Sequence, residues 1–252
     1  MSIEEHVDDE IEEKGSERQM DLIDHLAELR NRLIRSALYV TVGAIIGWFF
    51  YDSFFKLISA PIIEYLKQNK SSFLLTGVAE GFTIKMQISL LVGVIIALPL
   101  ITIEGWRFIA PGLTKLERRA VILVGPLSIV LFASGIIIAY KVLPVGIIWL
   151  ANQNPPGAKF MPSVAQTLIF ILKMYLAFGL VFQMPVVLMF LGKVGIISSG
   201  ALKAYWRHAI VIIGIVAAMI TPSGDAFTMI MMCAPMVVLY ALSIGLVRLV
   251  EK

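Results

Sequence analysis

Charge is what this sequence is short of. Lys, Arg, Asp and Glu make up 15% of the 252 residues, hydrophobic residues 58%, and the mean hydropathy is +0.86. A soluble domain of this size would expose too much apolar surface to stay in solution, so bilayer is the expected solvent. Cysteine is nearly absent: Cys233 alone, deep in an apolar run, forms no internal disulfide and says nothing about redox compartment. Three histidines, His6, His25 and His208, are scattered and make no evident metal cluster. HExxH, GxSxG, GxxxxGK[ST] and CxxC are all missing. Nothing argues for covalent or metal catalysis, so no catalytic residue, cofactor or metal is expected, and a binding or translocating membrane protein is the better class. Two rivals are a membrane enzyme and an ion-coupled solute transporter. The second would show repeated, broken helices with an embedded ionisable pair, which this sequence lacks.

Acids are unevenly spread. Residues 4–17 hold eight of them against one Lys, whereas from Arg18 onward 20 Lys and Arg face 10 acids. The body is basic, as suits a protein hugging an anionic membrane face. Residues 1–19 read as an acidic, disordered tail and 20–252 as a single membrane domain. With an acidic N-terminus and a first apolar run that begins near Ala37, no cleaved signal is expected.

What is there is a series of long apolar runs. Leu22, Leu26, Leu29 and Leu33 share one helical face, which predicts an amphipathic helix lying at the membrane surface. Six spans follow at about 36–55, 82–103, 120–140, 162–191, 208–222 and 226–247, the last two short. Roughly 30 Å of hydrocarbon has to be crossed at 1.5 Å per residue. The fourth run is the longest and has to tilt or protrude, while the fifth predicts local thinning. Gly43 and Gly47 form a GxxxG that permits close helix contact. Pro99, Pro126, Pro185 and Pro235 bend spans, and Pro61 opens a short helix with Ile62, Ile63 and Leu66 on one side. On the N-terminal side of the spans lie 14 cations against five on the other, so both termini are expected in the cytoplasm.

The stretch Gly105 to Arg119, GWRFIAPGLTKLERR, gathers charge, aromatic rings and turn-formers. Arg107, Lys115, Arg118 and Arg119 surround one carboxylate, Glu117. Cations there serve orientation, but a Glu does little for it and has the geometry to take a guanidinium in a bidentate pair. Glu28 has two readings: a solvated i,i+4 pair with Arg32, or a carboxylate waiting for an incoming cation. Gln183, well inside the fourth run, either hydrogen-bonds a neighbouring helix or works in a polar cavity. Asp52, Lys85 and Glu104 lie near span ends, where snorkelling or headgroup contact accounts for them.

HLAELRNRL at 25–33, SAPII at 59–63, FIAPGLTKLERR at 108–119, AFGLVFQMPV at 177–186 and ITPSGDAF at 220–227 together resemble the TatC family, the multispanning receptor of the twin-arginine protein translocase. The resemblance runs from about residue 20 to 250. It implies an all-α, six-helix, glove-like scaffold with both ends in the cytoplasm of a prokaryotic plasma membrane. It also implies a receptor, not an enzyme, that binds consecutive arginines of signal peptides on folded precursors. Such a receptor works with single-span partner subunits under the proton-motive force, in several copies, among membrane lipids and without nucleic acid. Carried over by motif, Glu28 and Glu117 receive the arginine pair, and Leu29, Arg30, Phe108 and Arg118 belong to the same surface. Gln183 and Thr221, with Asp225 nearby, join a polar patch that docks a partner helix, and Pro61 supports the extracytoplasmic cap. The family often has Glu where this chain has Gln183, and many members have a shorter Pro-Pro-Asp turn before the position of Asp225.

Overall fold

The structure, a computed structural model, describes the backbone of residues 3–75, 77–109, 115–155, 160–221 and 224–251, and the side chains of these except at 3–24, 109 and 115–124. The helices are α1 (Ile3–Phe49), α2 (Tyr51–Gln68), α3 (Glu80–Ile109), α4 (Lys115–Ala151), α5 (Val164–Val181), α6 (Met184–Lys193), α7 (Ser199–Ala204), α8 (Trp206–Ile220) and α9 (Ala226–Val250). Among the described residues the only β pairing is an isolated bridge from Leu74 to Ser163. Five stretches are long and apolar enough to cross a bilayer, with α5 and α6 counted as one, and α8 is a shorter sixth. The protein is an all-α, six-span membrane protein.

Several boundaries differ from the sequence-based expectation. No separate surface helix precedes the first span: α1 runs without a break from Ile3 to Phe49, through the acidic stretch expected as a disordered tail. Glu, Lys, Arg, Gln and Leu are good helix formers, and nothing between Glu4 and Phe49 is Pro, so no local signal stops the helix. Its leucine stripe is exposed at Leu26, Leu29 and Leu33, and exposed apolar residues continue along the span at Leu38, Val42, Ile45 and Phe49. The fourth run does not tilt as one rod. It breaks at Phe182–Gln183, because Pro185 in the first turn of α6 has no N–H to donate back to Val181. Of the two spans expected to be short, only one is. α8 has 15 residues, about 22 Å of helix, whereas α9 has 25 and carries Pro235 without ending there.

Packing begins at the GxxxG. α1 and α3 run antiparallel with Gly43 against Gly93 and Gly47 against Ser89. A Cβ added at Gly93 would fall 2.4 Å from the Ala44 amide nitrogen, so the backbones are in direct contact. α4 and α5 also run antiparallel, with Gly179 under the Phe132 ring and Gly135 against Phe178 and Phe182. The core between them is built from Leu168, Ile171, Leu172 and Phe178 of α5 together with Ile84 and Ile88 of α3 and Ala139 of α4, all 3% exposed or less. At one end of the bundle α2 folds across, burying Ile58, Ile62 and Leu66 on a single stripe with Ile63 half-buried. The backbone of Leu74 pairs with Pro162 and Val164 beside it. The other end gathers the polar half of α1, the close of α3, the start of α4 and the end of α9.

Candidate functional site

The register of the α1–α3 seam decides what meets at that second end. About three turns beyond Gly43, Arg32 comes level with Glu104. Glu104 is the one acid between Glu80 and Glu117, in an otherwise apolar stretch, and it is 3% exposed. A buried carboxylate at the margin of a bilayer requires a cation. Arg32 supplies it: Nη1 donates to Glu104 Oε2 at 2.8 Å and to the Glu104 carbonyl at 3.2 Å. Tyr39 donates its hydroxyl to Glu104 Oε1 at 3.3 Å, and Arg107 Nη1 lies 3.7 Å from the same oxygen.

The remaining donors of Arg32 go to α1 and to the α3 terminus. Nε and Nη2 both donate to Glu28 Oε1, at 3.0 and 2.5 Å, and Nη2 also donates to the Arg107 carbonyl at 3.1 Å. A guanidinium has five N–H groups, and five acceptor contacts are present. Glu28 is therefore not idle: the i,i+4 pair with Arg32 exists. Yet both bonds fall on one oxygen. Among the described residues nothing reaches Glu28 Oε2, and the side chain is 34% exposed. The i,i+4 pair thus takes one oxygen of Glu28 and leaves the other without a partner among the described residues.

Phe108 joins the same end, its ring stacked on His25 at 4.3 Å and 20°. Leu29 and Arg30 are exposed on the next positions of α1. Glu117 and Arg118 lie in the first turn of α4, where a carboxylate is favoured by the helix dipole, but their side chains lie outside the described residues. The structure thus brings Glu28, Phe108, Leu29 and Arg30 to one end of the α1–α3 pair, and places the backbone of Glu117 at the start of the next helix.

The expected polar patch does not assemble. Gln183, at the α5–α6 break, donates Nε2 to the Ser128 carbonyl of α4 at 3.0 Å. Its Oε1 and the Ser128 hydroxyl are buried with no partner among the described residues. Thr221 caps α8 by donating its hydroxyl to the Ala217 carbonyl. Asp225 is the N-cap of α9, accepting from the Thr228 amide at 2.8 Å and from its hydroxyl at 2.5 Å. Thr228 sits against Gly146, 18 residues along α4 from Ser128, about 27 Å of helix. Gln183 and the Thr221–Asp225 turn are separate features because the helix against which both pack holds them apart. Pro61 and Pro99 lie inside α2 and α3.

Comparison with known proteins decides the family. The model for Sec-independent protein translocase protein (TatC) matches residues 24–235, which takes in the Glu28 cluster and the Gln183 break. The chain belongs to the TatC family. It is 38% identical to the TatC protein of Desulforapulum autotrophicum over 90% of this chain and 84% of that one. The Carboxydothermus hydrogenoformans TatC protein is 31% identical, over 93% and 96%. A crystal structure of the twin-arginine translocase receptor TatC, 38% identical, superposes with a TM-score of 0.76 over 90% of this chain and 100% of that one. As a TatC protein, the chain is a multi-pass component of the Sec-independent protein translocase and not an enzyme.

Sequence reasoning named Glu104 of this TatC protein but accounted for it by snorkelling or headgroup contact, and so missed its pairing with Arg32. A signal was present: one carboxylate inside an apolar stretch needs a counter-ion, and three arginines stand at the start of the first span. The partner, 72 residues away, could be named only once the seam had set the register.

Proposed function

We propose that this chain is the receptor subunit that binds the consecutive arginines of twin-arginine signal peptides at the cytoplasmic face of a prokaryotic plasma membrane. The observation that carries the reading is Glu28: an ionisable carboxylate on an exposed helix face, fixed by Arg32 through one oxygen and open at the other. An incoming guanidinium donates to that open oxygen. Glu117, in the first turn of α4, takes the second arginine of the pair, and Phe108 and Leu29 supply apolar surface for the residues that flank it. Arg118 and Arg30 border the site. The excess of cations on this side of the spans supports cytoplasmic termini.

Signal binding is one half of the function. The other is to organise single-span partner subunits, in a receptor complex holding several copies of this chain, for translocation of folded precursors under the proton-motive force. Gln183 supports that half, since a buried amide oxygen without a partner is an acceptor for a polar group on a docked helix. Thr221 and Asp225 act apart from it, as caps of the turn that joins the short span to α9.

Binding of a labelled signal peptide to the protein in nanodiscs tests the reading. The Arg-Arg peptide is expected to bind at least about tenfold more tightly than its Lys-Lys counterpart, since an ammonium does not reproduce the guanidinium's directed donors. Glu28→Gln and Glu117→Gln should each erase that preference while the melting temperature holds. Equal binding of both peptides, unaffected by either substitution, overturns the proposal.

A further inference from the structure

The Arg32 cluster holds more charge than a helix staple requires. Arg32 carries one positive charge and touches two carboxylates, Glu28 and Glu104. Arg107 is nearby, but its side chain is 62% exposed and its closest approach to Glu104 is 3.7 Å, so water screens it. The group of three therefore has one negative charge left over. Where that charge is available follows from burial. The Glu104 side chain is 4% exposed, with one oxygen on Arg32 and the other on Tyr39 and Arg107. Glu28 is 34% exposed, and among the described residues nothing reaches its Oε2. The surplus is offered outward only at Glu28.

Consider the same cluster without the Glu104 charge. Arg32 would remain beside Glu28, donating to it through two N–H groups, and the two would neutralise each other. A second guanidinium approaching Glu28 would then meet the field of Arg32 with nothing to offset it. With Glu104 ionised, Arg32 is already balanced from the buried side. Its bonds to Glu28 fix the carboxylate's orientation without consuming the site's charge.

Resting on the reading of Glu28 as a receptor carboxylate, we propose that Glu104 is a positioning residue for signal-peptide recognition. It neutralises and anchors Arg32, so that Glu28 presents one open oxygen and an unspent negative charge to the incoming arginine. The ligand it serves is a guanidinium on an extended peptide, and Glu104 never touches it.

A staple and a charge balancer respond differently to a second substitution. Glu104→Gln keeps the side-chain shape but leaves the Arg32 charge facing Glu28, and binding of an Arg-Arg peptide should weaken by about tenfold or more. Adding Arg32→Gln removes that surplus cation, and affinity should return to within about threefold of wild type although more native bonds have been lost. If only the bonds mattered, the double variant would bind as weakly as the single one or more weakly, and the proposal would be wrong. Unchanged binding by folded Glu104→Gln would also overturn it. Should the single variant fail to fold, the double variant still decides, because a folded protein with about a tenfold loss contradicts the charge argument. Glu28→Gln in the wild-type background separates the two readings. If it leaves binding intact, the receptor assignment of Glu28 fails. If it weakens binding and Glu104→Gln does not, only the role of Glu104 fails.

Discussion

Two polar features inside this apolar bundle solve the same problem in opposite ways. At the α1–α3 end, ionised groups are used, and each of the five N–H groups of Arg32 has an acceptor. At the α4–α5 contact a neutral amide is used, and Gln183 spends only part of its capacity, leaving Oε1 and the Ser128 hydroxyl unpaired among the described residues. Depth explains the contrast. An ionised side chain at mid-bilayer costs roughly 2.5 to 3.5 kcal/mol or more, so charge is tolerable only where partners and nearby water balance it. A neutral amide without one partner costs on the order of 1 to 3 kcal/mol and survives deeper in. The saturated cluster holds a fixed geometry, whereas the unsaturated one keeps hydrogen-bonding capacity that the described residues do not use.

The largest expected effect tests whether the charged cluster depends on the seam that aligns it. A Cβ at Gly93 meets the Ala44 backbone and one at Gly179 meets the Phe132 ring, each at 2.4 Å. A backbone has nowhere to go, whereas a ring can shift. Gly93→Val is expected to cost about 3 kcal/mol or more, and Gly179→Ala about 1 to 2. Only Gly93→Val should also abolish Arg-Arg peptide binding, because sliding α1 on α3 separates Arg32 from Glu104. Thermal melting and peptide binding on both variants check this. Equal losses in the two would mean that the register of the seam is not what sets the cluster.

Much of this fold was legible because each span is a local property of composition, and the cation asymmetry is a property of loops. Gly43 and Gly47 were legible as a contact surface, but not as the element that sets register, because their partners Gly93 and Ser89 are far away in sequence. Gln183 and Pro185 were both noticed, yet hydropathy runs smoothly through 162–191 and gives no mark of the break. Glu28 was legible through spacing, and its use of a single oxygen was not, since that depends on where Nη1 of Arg32 is drawn by a residue of another helix. Thr221 and Asp225 were grouped with Gln183 through the family resemblance. Their distance along α4 separates them.

A smaller effect bears on the neutral side of the comparison. Gln183→Leu removes one hydrogen bond together with the unpaired Oε1, and the two changes oppose each other. Stability should stay within about 1 kcal/mol of wild type. Cross-linking of a single-span partner helix near the α5–α6 break should nevertheless fall. Asp225→Ala, by contrast, removes an N-cap and should cost about 1 kcal/mol with no change in cross-linking there. Partner cross-linking that survives Gln183→Leu would take away the reason for leaving that oxygen unpaired.

The smallest effect comes from a third polar contact, which places a carboxylate where neither depth nor saturation applies. Glu251, just past α9, accepts from the Ser199 hydroxyl and from the Ser199 amide, the latter at 2.6 Å, and so ties the chain end to α7. The Ser199 hydroxyl, then its amide, hold the Glu251 carboxyl below its ordinary range; burial opposes them, and Arg248 and Lys203 add weaker lowering effects. A carboxyl whose folded pKa is lowered stabilises the fold fully above its unfolded pKa, and that contribution is lost as pH falls through the folded value. Hydrogen exchange at the α7 amides should therefore speed up as the protein is taken from about pH 7 to about pH 3, after correction for intrinsic rates. Glu251→Gln should exchange faster at neutral pH and lose most of that dependence, while peptide binding at Glu28 stays unchanged. An exchange profile identical in the two proteins would show that this clasp, unlike the Arg32 cluster, holds nothing in place.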